Sequence, residues 1–370
     1  MIEQGVSLKT YNSFGVAAEA ALFGVAKTIE DLQYILKDQR FASAWILGGG
    51  SNTLFCDTPK PPIIHLAISG IKIIEQQQDE VVIKAGAGVN WHELVLWSLE
   101  KGFGGLENLA LIPGNVGAAP IQNIGAYGVE LQDVFESCTL VNRNDQSVET
   151  YDKVACQFGY RDSIFKRELK HKVVITDVCL RLKKENYRLN TSYGAIAHLL
   201  ASKGISTPSP KEIADVVIDI RTTKLPDPKQ LGNAGSFFKN PIVDHNQFAQ
   251  LKSSFPNIPH YAQPNQNYKI PAAWLIEQVG LKGTREGDVG THKHHALVLV
   301  NYGNASGHDI KAFSQMVQQS VEKRFDIRLQ PEVNFCCSSY LCLMKLFLLS
   351  VLLIGLAFAG IALKIWAQNE

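Results

Sequence analysis

Apolar positions along most of the chain switch between the spacing of a helix face and short unbroken runs. Positions 29, 32, 35 and 36 follow the helix spacing, and Thr28 with Asp31 forms a T-x-x-D capping box, which predicts a helix beginning after Thr28. The same spacing predicts helices near residues 91–101, 272–279 and 309–325. The run Ser209-Pro210-Lys211-Glu212 is typical of a helix start.

Short apolar runs next to glycines predict strands as well. The runs are those at 44–47, 81–84, 137–141, 173–182 and 296–300, with a last strand leading into 331–333. Strands and helices mix without the regular alternation of βαβ units, so the sequence predicts the α+β class. Pro226, Pro228 and Gly232 indicate a domain boundary.

The C-terminus has a different pattern. Residues 346–363 are 18 uncharged residues between Lys345 and Lys364. A membrane-spanning helix takes about 20 apolar residues. The segment therefore favours a membrane-inserting helix over a buried core helix. From Met344 it also resembles the start of a small unrelated membrane protein, which would make the apolar tail at 336–370 either an anchor or a fused reading frame.

Composition narrows the function. A chain of 370 residues with 46% hydrophobic and 19% charged residues has room for two or three globular domains. The net charge of +1 and the lack of a basic run with interleaved aromatics argue against nucleic-acid binding. The N-terminus lacks the pattern of a secretory signal. The scattered cysteines are typical of reduced thiols in a cytosolic protein, so a cytoplasmic protein is expected, tethered to the inner face of the membrane if 346–363 inserts.

Known ligand motifs are informative by their absence. The sequence has neither a P-loop nor a G-x-G-x-x-G turn after a strand. No cysteines form a C-x-x-C pair, and the run His292-Lys293-His294-His295 is predicted to be a partly exposed loop, so no metal site is expected.

Two glycine-rich stretches favour a phosphate-bearing ligand instead. The run GGGSN at 48–52 follows an apolar strand, and small residues there can expose successive backbone N–H groups to an anion. The stretch 112–128 contains four glycines. It could form a compact buried loop, or its backbone could lie close against a ligand, because glycine allows close approach. Together they favour a large phosphate-bearing cofactor.

Four charged residues stand in unusual contexts. Arg161 lies between aromatic residues, Arg221 and Lys224 follow a predicted helix, and Glu332 lies in an apolar strand. Each also has a simple structural interpretation. Arg161 could pair with its neighbour Asp162, the next two could serve as charges at a helix C-terminus, and Glu332 could mark a strand edge.

Ser236 lies in the stretch GNAGSFFKNP, with small residues before it and two phenylalanines after it. This is not the G-x-S-x-G sequence of a nucleophile elbow. From the residues alone, a turn, a nucleophile and a proton donor remain open.

Four stretches, in this order, resemble the UDP-N-acetylenolpyruvoylglucosamine reductase family. They are PGNVGAAPIQNIGAYGVE, FGYRDSIFK, RTTKLPDP and GNAGSFFKNP. With GGGSN before them and LQPEVNF after them, the resemblance covers roughly residues 5–335. The run SYG at 192–194 resembles the tyrosine loop of the family's type I branch. His295 departs from the family pattern, which has glutamine there.

The resemblance implies an architecture. It consists of a two-lobed FAD-binding domain of the vanillyl-alcohol oxidase (PCMH) type and a smaller α+β substrate domain. Lobe 1 is expected at 1–70, completed by about 320–335, lobe 2 at 71–225, and the substrate domain at 226–319.

The resemblance also implies an activity. NADPH reduces the FAD, and the flavin then reduces UDP-N-acetylglucosamine enolpyruvate to UDP-N-acetylmuramate for peptidoglycan synthesis. Hydride adds to C3 of the enolpyruvyl group, and a proton reaches C2. A monomer is expected.

Site residues carry over by position. Ser236 matches the proton donor, and Arg161 with Glu332 matches the pair that polarises the enolpyruvyl carboxylate. The substrate-binding positions are Tyr193, Arg221, Lys224 and Asn240. The positions of the flavin cradle are Gly48, Gly49, Gly50, Ser51, Asn52, Pro113, Gly114, Ala118, Ala119, Ile121, Gln122, Asn123, Gly125, Gly128 and Glu130.

Two other functions remain possible from the sequence. The first is another FAD-dependent oxidoreductase of the same fold, although an oxidase needs no proton donor such as Ser236. The second is a non-catalytic membrane-anchored binding protein, suggested by the apolar tail.

Overall fold

The structure is a computed structural model that describes residues 2–337. The N-terminal part forms a four-stranded sheet in the order β1-β2-β5-β3. Its strands are β1 (Ile2–Ser7), β2 (Glu19–Ala26), β3 (Trp45–Leu47) and β5 (Ile63–Leu66). Helix α1 (Ile29–Lys37) packs on β2. Its capping box between Thr28 and Asp31 is present, as the sequence predicts.

A five-stranded antiparallel sheet follows, in the order β11-β10-β12-β7-β6. Its strands are β6 (Ile71–Gln76), β7 (Glu80–Gly86), β10 (Phe135–Asn142), β11 (Val148–Asp152) and β12 (Val173–Lys183). The accompanying helices are α2 (Trp91–Glu100), α3 (Gly194–Ser202) and α4 (Pro210–Lys224). A two-stranded hairpin, β8 (Gly125–Ala126) and β9 (Val129–Glu130), lies in the connection between β7 and β10. The predicted start of α4 is confirmed, because Ser209 and Glu212 form a capping box.

The third part combines two small sheets with three helices. One sheet has the order β13-β19-β18-β17 and the other β14-β16-β15. The strands are β13 (Gly232–Ser236), β14 (Ile242–Val243), β15 (Tyr261–Ala262), β16 (Tyr268–Lys269), β17 (Arg285–Glu286), β18 (Val289–Thr291) and β19 (Val298–Asn301). The helices are α5 (His245–Ser254), α6 (Ala272–Gln278) and α7 (Gly307–Phe325), and α7 packs on β18 and β19.

The chain then returns to its N-terminal part. Strand β20 (Asn334–Cys336) pairs in parallel with β4 (Thr53–Phe55), which directly follows the GGGSN loop. The strand predicted at 331–333 is thus displaced. Pro331 forms only an isolated bridge with Phe238, and the regular pairing begins at Asn334. All these elements belong to one compact unit that ends at Cys336.

Buried side chains join the N-terminal sheet to the third part. One continuous core contains Phe14 and Leu54 from the first, with Phe237 and Val317 from the second. A separate core fills the five-stranded sheet and α2 to α4. The mixed helices and strands confirm the predicted α+β class. Within residues 2–337, no helix is long and apolar enough to cross a membrane. The helix predicted at 346–363 lies outside the described residues.

Phe237 tests the importance of the shared core. Its side chain is fully buried and its ring contacts those of Phe14, Phe238 and Phe335. Because truncation leaves a cavity, Phe237→Ala should lower the free energy of unfolding by about 3–5 kcal/mol. Urea denaturation measures this, with Tyr34→Ala, at a position 72% exposed, as the matched aromatic control. Equal urea midpoints for the two variants would contradict the assignment.

Candidate active site

The two glycine-rich loops pack tightly against each other. A Cβ atom added at Gly49 would lie 2.6 Å from Oδ1 of Asn115, and one at Gly114 would lie 2.8 Å from Oγ of Ser51. A Cβ at Gly50 would lie 1.9 Å from the carbonyl oxygen of Tyr11, and Gly50 also has φ of +62°. Only glycine fits these places, so the loops form one continuous backbone surface.

This surface presents unused hydrogen-bond donors. In the part of the chain that the structure describes, the N–H groups of Gly49, Gly50 and Ser51 donate to no other protein atom. Consecutive free N–H groups in a tight turn form a concave anion site. The loop is held in this shape from behind, where Ser13 N–H donates to the carbonyl of Gly50 over 3.2 Å.

The remaining predicted cradle residues lie on two 3₁₀ turns, 116–118 and 120–122, and on the β8–β9 hairpin. Asn123 and Glu130 hold this segment together. Asn123 is fully buried, and its Nδ2 donates to Oε2 of Glu130 over 2.9 Å and to the carbonyl of Gly159 over 3.1 Å. Asn123 therefore shapes the loop from inside, whereas Pro113, Ala118 and Gly128 are exposed.

Arg161 forms an ion pair with Glu332, although the two residues are far apart in the sequence. The Nε atom of Arg161 lies 3.6 Å from Oε1 of Glu332, and the two side chains are only 23% and 15% exposed. Nη2 of Arg161 also donates to the carbonyl of Gly125 over 2.8 Å. The simple interpretation of Arg161 as a partner of Asp162 is wrong, because Asp162 pairs with Arg167.

Glu332 is held by its backbone as well as its side chain. Its N–H donates to the carbonyl of Phe237 over 2.8 Å, and its carbonyl accepts from Nδ2 of Asn52 over 3.0 Å. Burial raises the pKa of Glu332, while Arg161, Lys166 and Lys239 act in the opposite direction. Three cations thus act on one partly buried carboxylate.

Ser236 ends β13, next to the residue whose carbonyl binds Glu332. The pairing of β13 with β19 is irregular between Asn233 and Ser236, and Gly235 has φ of +69°. Phe237 N–H donates to the carbonyl of Leu297 over 2.8 Å, so the backbone is fixed on both edges. The Ser236 side chain is half-buried, and its hydroxyl has no hydrogen-bond partner among the described residues. It is free to bind another molecule.

Arg221 and Tyr193 meet around Tyr127 of the flavin-cradle hairpin. Burial lowers the pKa of Arg221, and its hydrogen bond with Tyr127 partly offsets this shift. The Nε atom of Arg221 is buried and has no hydrogen-bond partner within residues 2–337. The ring of Tyr193 stands edge-on to that of Tyr127 at a centroid distance of 5.1 Å, although Tyr193 itself is 45% exposed.

The other predicted substrate residues lie at the edge of this region. Lys224 ends α4, is exposed, and helps to lower the pKa of the half-buried His295, so the two are close. Asn240 has a structural contact, since its Oδ1 accepts the backbone N–H of Ala272 at the start of α6 over 2.9 Å. Within residues 2–337, no group of His, Cys, Asp and Glu is placed to hold a metal ion.

Sequence reasoning missed several polar residues of the site. Lys166 donates from Nζ to the carbonyl of Arg161, and Lys239 lies close enough to shift the pKa of Lys166 and of Glu332. Nζ of Lys269 lies 4.9 Å from the ring centre of Tyr160. Both Lys166 and Tyr160 belong to the stretch FGYRDSIFK, which also contains Arg161. That stretch could therefore have indicated that they lie in the site.

Comparison with known proteins identifies two regions. Residues 20–151 match an FAD-binding domain, and residues 227–336 match the C-terminal domain of UDP-N-acetylenolpyruvoylglucosamine reductase. The chain is 48% identical over 333 residues to the reductase of that name from Flavobacterium johnsoniae, covering 90% of this chain and 99% of the relative. It is 44% identical over 335 residues to the one from Pseudomonas aeruginosa, covering 90% and 98%.

The fold also resembles a solved structure. The crystal structure of the MurB reductase from Thermus caldophilus superposes with a TM-score of 0.63 at 24% identity, covering 90% of this chain and 98% of the other. The fold and the matched cofactor domain make the protein an FAD-dependent oxidoreductase. The chain belongs to the UDP-N-acetylenolpyruvoylglucosamine reductase (MurB) family, which confirms the resemblance inferred from its motifs.

The site fits FAD. The free N–H groups of residues 49–51 suit a diphosphate, and the glycines of both loops leave space for close approach where a Cβ would clash with the neighbouring loop. The half-exposed hairpin extends this surface toward Arg161, because Gly125 contacts the Arg161 guanidinium.

Gly50→Ala tests the cradle. Its φ of +62° disfavours alanine, and its Cβ would overlap the Tyr11 carbonyl. Gly15→Ala is the matched control, since Gly15 has φ of +64° and no atom within 4 Å of the added Cβ. The backbone cost alone is about 1–2 kcal/mol for both. Gly50→Ala should therefore lose much more bound FAD and stability, measured by the ratio of visible to ultraviolet absorbance and by thermal unfolding. Equal losses would contradict the close-packed cradle.

Proposed function

We propose that this protein uses NADPH to reduce UDP-N-acetylglucosamine enolpyruvate to UDP-N-acetylmuramate. The observation that carries the proposal is the convergence of Arg161, Glu332 and Ser236. An ion pair joins Arg161 to Glu332, and a backbone hydrogen bond joins Glu332 to the residue after Ser236. The family match supports the same reaction.

Arg161 is proposed to bind the carboxylate of the enolpyruvyl group. FAD held by the glycine-rich loops would supply the hydride to C3, and negative charge would then develop at C2 and on the carboxylate. A guanidinium remains cationic at all working pH values and binds carboxylates with two parallel hydrogen bonds. Fixed donors directed at developing charge contribute several kcal/mol to catalysis. Glu332 orients Arg161, because its carboxylate lies against Nε. Nη2 also donates to the carbonyl of Gly125, and the remaining N–H groups of the two Nη atoms are proposed to bind the substrate.

Ser236 is proposed to deliver the proton to C2. Its hydroxyl has no partner in the described part of the chain, and the backbone of the next residue, Phe237, is fixed by hydrogen bonds to Leu297 and Glu332. A general acid must be held within hydrogen-bond reach of the atom that it protonates. Of the three roles open from the sequence, the proton donor is the one that this geometry supports.

The binding roles and domain limits are also proposals. Lys224 and Arg221 supply positive charge for the UDP diphosphate, and Tyr193 covers the substrate from its exposed position. Asn240 would contact the substrate through its amide nitrogen, since its oxygen caps α6. We assign lobe 1 to 1–70 with 320–335, lobe 2 to 71–225 and the substrate domain to 226–319, a division typical of vanillyl-alcohol oxidase folds. The monomeric state, cytoplasmic location and membrane contact through 346–363 stay predictions from the sequence.

A spectroscopic experiment on the purified protein tests this function. The flavin band should bleach when NADPH is added without oxygen, and should return when UDP-N-acetylglucosamine enolpyruvate is added. A band that bleaches but does not return would favour another oxidoreductase of the same fold. A colourless protein that binds no FAD would favour the binding-protein alternative.

Ser236→Ala separates the two half-reactions. The variant should bind FAD and be reduced by NADPH at a normal rate, because no proton is delivered to carbon in that step. Its reoxidation by the UDP substrate should slow by about 10²–10⁴-fold, the usual contribution of a general acid. The control is Ser202→Ala, which removes a hydroxyl bonded within its own helix. Near-normal reoxidation of Ser236→Ala would remove the serine from the mechanism.

A further inference from the structure

Lys166 is fixed beside the catalytic ion pair by the turn that carries it. The 3₁₀ turn Ile164–Lys166 begins at Ser163, which is fully buried. The hydroxyl of Ser163 donates to the carbonyl of Ile121 over 2.7 Å and accepts the N–H of Phe165 over 3.2 Å. The turn is thereby attached to the flavin-cradle segment, and its lysine is directed inward.

The ammonium group of Lys166 binds the backbone of Arg161. Its Nζ donates to the carbonyl of Arg161 over 3.0 Å and to Oε1 of Gln122 over 3.4 Å. Arg161 has φ of +53°, an unfavourable conformation for a residue with a side chain. Such a conformation persists only where the surroundings enforce it. The bond from Lys166 is one such constraint, and it acts directly on the residue that pairs with Glu332.

The charges around Lys166 come from three segments. Arg161 and Asp162 lie on its own loop, Lys239 follows β13, and Glu332 precedes β20. Asp162 is occupied by Arg167, so Glu332 is the carboxylate that Lys166 shares with Arg161 and Lys239. No role in the site was assigned to Lys166 from the sequence.

We propose that Lys166 is a positioning residue that holds Arg161 in its substrate-binding conformation, and that it does so fully only while its ammonium group is protonated. This inference rests on the proposed function, since it concerns binding of the substrate carboxylate. A hydrogen bond from a charged donor is roughly twice as strong as one from a neutral donor. Loss of the proton weakens the bond to Arg161 and removes one positive charge beside Glu332.

The relevant pH is accessible to experiment. Burial, followed by repulsion from Lys239, lowers the pKa of Lys166 to about 8. The value of kcat/KM reports groups of the free enzyme. For the wild type, kcat/KM toward the UDP substrate should therefore fall as the pH rises through about 8.

Two substitutions separate charge from structure. Lys166→Met should lower kcat/KM by about 10–100-fold near pH 7 and abolish the fall near pH 8, because no titrating group remains. Lys166→Arg keeps the charge at all these pH values, so it should retain more activity than Lys166→Met and also lack the fall. Lys170→Met, at an exposed position on the same segment, is the control and should behave as the wild type.

Thermal unfolding gives a readout that is independent of activity. The folded pKa of about 8 lies below the unfolded value of about 10.4, so the unfolded chain binds more protons between these pH values. The stability of the wild type relative to Lys166→Met should therefore rise with pH from about 8 toward about 10.

The outcomes are distinct. Any of three results would overturn the inference. The fall in kcat/KM near pH 8 could persist in Lys166→Met and Lys166→Arg, or the wild type could show no such fall. The third is a stability difference between the wild type and Lys166→Met that does not change with pH. A wild type that is reduced by NADPH but not reoxidised by the UDP substrate would instead overturn the proposed function, while the stability measurement would still show whether Lys166 titrates.

Discussion

The structure depends on the contacts of one partly buried residue, Glu332. Its carbonyl accepts from Asn52 of the GGGSN loop, its N–H donates to Phe237 beside Ser236, and its carboxylate pairs with Arg161. These three partners come from the N-terminal sheet, the third part of the chain and the loop after β11. The position of Glu332 is set in turn by the parallel pairing of β20 with β4 immediately after it. The short segment that contains Glu332 and β20 therefore fixes the positions of the GGGSN loop, Ser236 and Arg161 relative to one another.

Burial gives the Glu332 pair its chemical value and also its cost. Removing a carboxylate from water favours its neutral form, and burial accordingly raises the pKa of Glu332. Arg161, Lys166 and Lys239 oppose that effect, and together they outnumber the one carboxylate that they share. The excess positive charge suits a site that receives an anionic group. A buried pair of this kind adds little net stability, because desolvation offsets much of the attraction. Its proposed benefit is a fixed guanidinium.

The flavin cradle depends on close approach of backbone segments. Gly49 and Gly50 lie so near Asn115 and Tyr11 that any side chain would separate the loops. The N–H groups of residues 49–51 remain available because the backbone turns before it enters β4. Asn123 completes the arrangement from inside the second loop, where both polar atoms of its side chain bind the protein itself. The protein's own contacts therefore hold the cradle in shape.

The helix starts, the glycine-rich loops and the family could be predicted from local patterns in the sequence. Capping boxes at Thr28 and Ser209 fix helix starts through contacts within four residues, so local chemistry was sufficient there. The GGGSN loop and the glycines of 112–128 could be recognised as candidate ligand-binding loops for a similar reason. Runs of glycine are a local signal for tight turns and close backbone approach. The contacts between residues far apart in the sequence could be seen only in the folded structure. Arg161 pairs with Glu332 and not with its neighbour Asp162. The final strand lies at 334–336, where it pairs with β4. Lys166 donates a hydrogen bond to the carbonyl of Arg161. Those contacts join residues from separate elements, and their energies arise from burial and charge in the folded chain, which no local pattern encodes.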